Sequence, residues 1–131
     1  MARGVRIDRI RGRPSSRATR LTIQYALNRH VVPARPWCFL NHECDPSCDV
    51  QVEGGILYLV ARRDLRSGAE LTFDYATTER CIAARSPCRC GALQCRGRLA
   101  GYTELTLSER QQLGQRPLRY LLRLCPDRAA P

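Results

Sequence analysis

Residues 41–48 read NHECDPSC, placing an amide, an imidazole and two thiols within eight positions. Farther along, CRCGALQC sets Cys88, Cys90 and Cys95 in a CxCxxxxC pattern. Thiolates bind zinc tetrahedrally with Zn–S bonds of about 2.3 Å, so three cysteines this close in sequence supply three corners and leave the fourth to a distant residue. The remaining cysteines are 38, 44, 48, 81 and 125. Cys44 and Cys48 lie in a polar loop and suit that corner best, whereas a cysteine in an apolar run reads as a small buried hydrophobe. The surrounding segment, CIAARSPCRCGALQCRGRLAG (81–101), is too poor in bulky apolar residues to pack without a metal or a host domain.

A chain of 131 residues is the size of one ordinary domain that must hold these groups in place. VRIDRI (5–10) and RLTIQY (20–25) alternate apolar and polar residues as strands do, and the breaker-rich GRPSS separates them. HVV (30–32) is a third short strand, ended by Pro33 and Pro36. DVQV and ILYLVA flank EGG as a hairpin, RDLRSG is a turn, and AELTFDYA is a further strand. LTLSERQQLGQRPLRYLLRL is predicted helical, capped by Ser108 and divided near Pro117, with Leu113, Leu118, Leu121, Leu122 and Leu124 as a core-facing stripe.

The formal charge is +10, and all 22 basic residues are arginine. Such a field suits an acidic partner such as nucleic acid, although arginines spread this evenly mark no single face. The absence of lysine matches a GC-rich coding sequence, and also a protein that modifies lysines. The N-terminus lacks the apolar run of a secretion signal, and no stretch approaches the twenty apolar residues of a membrane span. The expectation is a protein that is not secreted and has no membrane partner, cytoplasmic, or nuclear in a eukaryote, where reduced thiols favour metal binding over disulfides.

Three pieces in order carry a family likeness. NHECDPSC resembles the NHSCxPNC motif of SET-domain protein-lysine methyltransferases, AELTFDY resembles their GEELTFDY, and CRCGALQCRG resembles their post-SET CxCxxxxCxG segment. The resemblance covers roughly residues 20–101. It implies a mainly β, β-clip-like SET fold of short strands, with a knot-like crossing in which the Tyr75 segment threads the loop of Asn41, an exception to the rule against threading. A Cys-rich post-SET zinc segment and a C-terminal helix complete it. The implied organisation is a SET domain at 1–80 without the N-terminal GxG strand pair, a post-SET segment at 81–101 and a helical extension at 102–131.

The same resemblance implies S-adenosylmethionine and Zn²⁺ as cofactors. Cys44, Cys88, Cys90 and Cys95 would hold the zinc, and Cys48 would be a bystander. Asn41, His42 and Tyr75 would line the cofactor site, with the Asn side chain near the methionine end and the His backbone against the adenine edge. Tyr75 would orient the amine and the departing methyl. Phe73 would line the substrate channel at the position where Phe favours di- or trimethylation and Tyr restricts it. The substrate would be a lysine-containing protein or peptide, such as a histone-like tail. Glu43 and Ser47 depart from the motif at positions that are not ligands. No GxG precedes Asn41, and GVRIDRIRG resembles the strand that follows that loop. That departure leaves a second reading, a non-catalytic SET-derived module stabilised by zinc that binds proteins, and an unpaired N-terminal edge that would favour a homodimer.

Overall fold

The computed structural model describes residues 1–125. The architecture is mainly β. Strands β1 (Arg6–Ile10), β2 (Gly12–Ser15), β3 (Ile23–Ala26), β4 (Arg29–Pro33), β5 (Asn41–His42), β6 (Cys48–Glu53), β7 (Ile56–Ala61) and β8 (Thr72–Phe73) precede α1 (Leu107–Leu113) and α2 (Arg119–Leu124). They form two antiparallel three-stranded sheets, ordered β1-β7-β6 and β2-β4-β3, and a parallel pair β5-β8.

The β6-β7 hairpin closes between Glu53 and Ile56 through Gly54 and Gly55, whose φ values of 59° and 78° give the left-handed turn that a two-residue hairpin needs. GRPSS, expected as a breaker, is instead largely strand: β2 pairs with β4, with Pro14 opposite Val31. An edge strand tolerates proline because one side of its backbone needs no partner, and β2 is such an edge. AELTFDYA is likewise not one long strand. Only Thr72–Phe73 pairs, and Asp74 then starts a 3₁₀ turn over Tyr75–Thr77 by accepting a hydrogen bond from the Ala76 N–H at 3.0 Å.

Two apolar clusters hold these elements. The first joins the two larger sheets to β8 through residues such as Val50, Leu59, Ile23 and Phe73, and it contains the fully buried Cys48. The second packs Ala76, Ala100 and Tyr102 against Leu113 and Leu121 of the helices. Of the predicted stripe, Leu113, Leu118 and Leu121 are buried while Leu124 is exposed. The cap of α1 is Thr106, not Ser108. Thr106 accepts from the Glu109 N–H at 3.2 Å and Glu109 accepts from the Thr106 N–H at 2.9 Å, the reciprocal box that T-x-x-E encodes. The Leu118 N–H donates to the Thr77 carbonyl at 2.8 Å, fastening the helices to the turn that carries Tyr75. No helix among the described residues is long and apolar enough to cross a membrane.

Candidate active site and metal centre

The shortest pairing in the fold brings the sequence motifs together. Parallel registry sets Asn41 beside Thr72 and His42 beside Phe73, so NHEC and TFDY meet although about thirty residues separate them. The Tyr75 ring lies 4.9 Å from Phe73 and 5.2 Å from His42, centroid to centroid. Its hydroxyl donates to the Leu40 carbonyl at 2.6 Å. Burial, reinforced by the charge of Glu79, raises the Tyr75 pKa above its ordinary value, so the phenol keeps its proton at neutral pH. Asn41 sits on the exposed side of the same pair, where its Nδ2 donates to Glu70 at 2.9 Å.

The His42 ring turns inward, with its side chain only 4% exposed. Nδ1 accepts the Tyr75 N–H at 3.1 Å, which leaves the ring proton on Nε2, and Nε2 points at Cys44 Sγ 3.4 Å away. Burial is the main cause of a lowered His42 pKa; neighbouring Asp74 opposes it and Arg96 adds to it. A neutral imidazole fits both contacts.

Cys44, Cys88, Cys90 and Cys95 converge with their sulfur atoms all within 4.8 Å of one another. Cys44 and Cys88 sulfurs are 3.9 Å apart, close to the edge of about 3.8 Å expected for a tetrahedron of Zn–S bonds. Backbone N–H groups also aim at the sulfurs: Cys44 N–H toward Cys90 Sγ, and Arg96 N–H toward Cys44 Sγ, each at 3.5 Å. Burial pushes the Cys44 and Cys88 thiols up, whereas Cys95 is lowered to about 7, chiefly by a backbone hydrogen bond from Gly97. Four sulfurs in this arrangement fit zinc, whose charge offsets what burial imposes on Cys44 and Cys88. Cys48 stands apart in the first core, its thiol raised by burial.

Three further charged residues shape this site, two inside the motif segments and one four residues beyond FDY. Arg96 forms a bidentate pair with Asp74 at 2.6 and 3.0 Å, and both side chains are withdrawn from solvent. Glu79 is 6% exposed, and its Oε2 accepts from the Gln24 N–H at 2.9 Å and the Thr78 hydroxyl at 2.6 Å. With Phe73 and Tyr75 it lines a cavity of about 80 Å³, partly open to solvent, whose other walls include Leu21, Trp37 and Leu40. Gly101 allows this packing, because a Cβ there would lie 2.4 Å from the Arg80 carbonyl oxygen. Asp74 and Arg96 lie within TFDY and CRG, but nothing in those motifs marks them as partners, and Glu79 has only its closeness to TFDY as a clue. Charged side chains at single positions leave no periodic trace.

Comparison with known proteins agrees with this geometry. The SET domain family model matches residues 7–76. The histone-lysine N-methyltransferase ash1 of Drosophila melanogaster is 39% identical over 70 residues, 50% of this chain and 3% of that protein. The H3 lysine-4 specific histone-lysine N-methyltransferase of Schizosaccharomyces pombe is 45% identical over 65 residues, 47% of this chain and 7% of its own. The chain thus spans a small fraction of the length of the curated relatives it matches. In solved structures, KRYPTONITE in complex with mCHG DNA and SAH superposes with a TM-score of 0.60 at 23% identity, covering 76% of this chain and 25% of that one. Matched over more than half its length by the SET domain model, with the family's fold and its NHxC and FDY segments side by side, the chain belongs to the SET-domain family.

Proposed function

We propose that the chain transfers a methyl group from S-adenosylmethionine to the side-chain amine of a protein lysine, with Tyr75 as the catalytic residue. One observation carries this reading: Tyr75 and Phe73 form part of the wall of a largely apolar cavity, next to the Asn41–His42 pair. Because the Tyr75 hydrogen is committed to the Leu40 carbonyl, the oxygen lone pairs remain free to accept an N–H from an amine and orient it. S-adenosylmethionine supplies an electrophilic sulfonium methyl when bound. Asn41 Oδ1 has no hydrogen bond among the described residues and adjoins the Glu70 carboxylate, an acceptor pair suited to the ammonium at the methionine end of the cofactor. His42 orders the turn through the Tyr75 N–H.

Zinc would bind Cys44, Cys88, Cys90 and Cys95, fixing the 81–101 segment against the SET domain at 1–80; of the expected extension at 102–131, α1 and α2 supply the helical part and 126–131 lie outside the described residues. Phe73 offers no hydroxyl to crowd a partly methylated amine, which favours di- or trimethylation. A histone-like tail is the proposed substrate, in line with the names of the relatives. The basic surface suits accompanying nucleic acid, and the free edge of β1 would serve a homodimer.

Incubating the zinc-loaded chain with isotopically labelled S-adenosylmethionine and histone H3 tail peptides, followed by mass spectrometry, tests the activity. Methylated lysine is the expected product. Cofactor and peptide binding without transfer would favour the non-catalytic binding module instead.

A further inference from the structure

We propose that Glu79 receives the ammonium of the target side chain inside the cavity bounded by Phe73 and Tyr75 and takes one of its protons, so that the amine reacts neutral. This inference rests on the methyltransferase reading and adds a residue to it.

The geometry singles out one oxygen. Both hydrogen bonds to the Glu79 carboxyl fall on Oε2, from Gln24 and Thr78, while Oε1 takes none among the described residues and is not completely buried, on a residue that lines the cavity. No arginine pairs with Glu79 among the described residues, although the chain has 22. Anchoring Gln24 and Thr78 would explain Oε2 alone, and a glutamine would do it equally well. An ionisable group here instead leaves an acceptor beside an apolar wall that suits the methylene stem of a long cationic side chain.

A buried ion pair is poorly solvated, so an apolar cavity favours its conversion into a neutral acid and a neutral amine. In that step an N–H bond of the ammonium breaks and its electron pair stays on nitrogen. An O–H bond forms at Glu79 Oε1, and the acid later releases the proton to solvent. Burial already raises the Glu79 pKa to about 7, against the two hydrogen bonds that lower it. The other groups around it are Tyr75 on the 3₁₀ turn, Tyr120 on α2, Arg80 beside it in sequence, His30 on β4 opposite Gln24 of β3, and Arg20 and Cys38 in the cavity wall.

Two measurements test the proposal. Carbon-13 NMR of the Glu79 carboxyl in the zinc-loaded wild type, titrated with n-butylammonium or with uncharged n-butanol, needs no turnover. The ammonium should raise the titration midpoint, because the carboxyl then holds the amine's proton, and the alcohol should not; a lowered or identical midpoint would overturn the assignment. Glu79→Gln should keep its fold and, at pH 7, lose about 100-fold in kcat/KM on H3 tail peptides, recovering as pH approaches the amine's own pKa of about 10.4. Unchanged activity with an unchanged pH profile would also overturn it. A wild type that methylates no peptide but shows the ammonium-selective shift would instead count against the methyltransferase reading, leaving the cation site standing.

Discussion

His42 and Cys44 are joined across a single ring: Nε2 faces the Cys44 sulfur at 3.4 Å while Nδ1 holds the Tyr75 backbone N–H at 3.1 Å. The imidazole therefore connects a metal-ligand candidate to the residue proposed for catalysis. Such outer partners of a ligand typically contribute 10–100-fold to metal affinity or activity. Replacing His42 by Phe should weaken zinc retention by about that factor against a competing chelator and slow methyl transfer together. Normal zinc affinity with slowed transfer would confine the ring's role to Tyr75.

Zinc content separates the two loop cysteines. Cys44→Ser should remove most of the one zinc expected per chain, while Cys48→Ser should keep it and lose only packing, since Cys48 lies within the apolar core. Elemental analysis of the purified variants reads the difference, and the reverse pattern would reject the four-cysteine site.

Chemistry at the cavity is tested by two exchanges of one hydroxyl. Tyr75→Phe should reduce kcat on the order of 100-fold or more while leaving S-adenosylmethionine affinity nearly intact, because only the oxygen that orients the amine is lost. Phe73→Tyr should retain activity and shift the products toward monomethyl-lysine. Product distributions by mass spectrometry report both.

Arg96 and Asp74 form the most buried charged pair near the site, at 7% and 0% side-chain exposure. Removing one member of such a pair strands the other, typically at about 3–5 kcal/mol. Arg96→Met should therefore lower urea-unfolding stability by roughly that amount, and Arg96→Met with Asp74→Asn should recover a large part. Additive losses in the double variant would mean that the pair is not coupled.

Two carboxyls set opposite pH slopes. Arg98 holds the Glu109 pKa down to about 2, so its stabilisation is complete above its ordinary 4.5 and is lost as pH falls through about 2. Burial raises Glu79 from 4.5 to about 7, so it lowers stability progressively as pH rises across that window. Thermal melts from pH 2 to 8 should show Glu109→Gln flattening the acid limb and Glu79→Gln flattening the slope between 4.5 and 7.

The motifs were legible because their chemistry needs fixed spacing. Three closely spaced cysteines and the NHxC and FDY segments could be read directly, and β1, β6 and β7 announced themselves by alternation and by Gly54–Gly55. β2 was hidden because Pro14 reads as a breaker until it is known to stand at an edge, a matter of tertiary placement. Ser108 suits a cap by residue type alone, whereas Glu109 sits three residues after Thr106, the spacing that decides a capping box. Arg96 could not be told from the other arginines, and Glu79 became notable only once burial placed it in the cavity wall beside Tyr75. Partnership between single charged residues is a property of the folded chain.

The joining of Cys44 to the 88–95 segment has a consequence for how the chain is made. During synthesis, Asn41 and His42 emerge long before residues 88–95, and the turn at Tyr75 must wait for α2, which emerges later than that segment and whose start is fastened to Thr77. With β1 also pairing with the much later β7, few of the decisive contacts are local, which points to slow folding set by chain return rather than by local propensity. A ribosome-bound chain halted before residue 95 would carry the NHxC loop with no complete thiolate cage. Zinc held by these four thiolates would be captured only after residue 95 has emerged, so zinc supply would govern completion of the 81–101 segment.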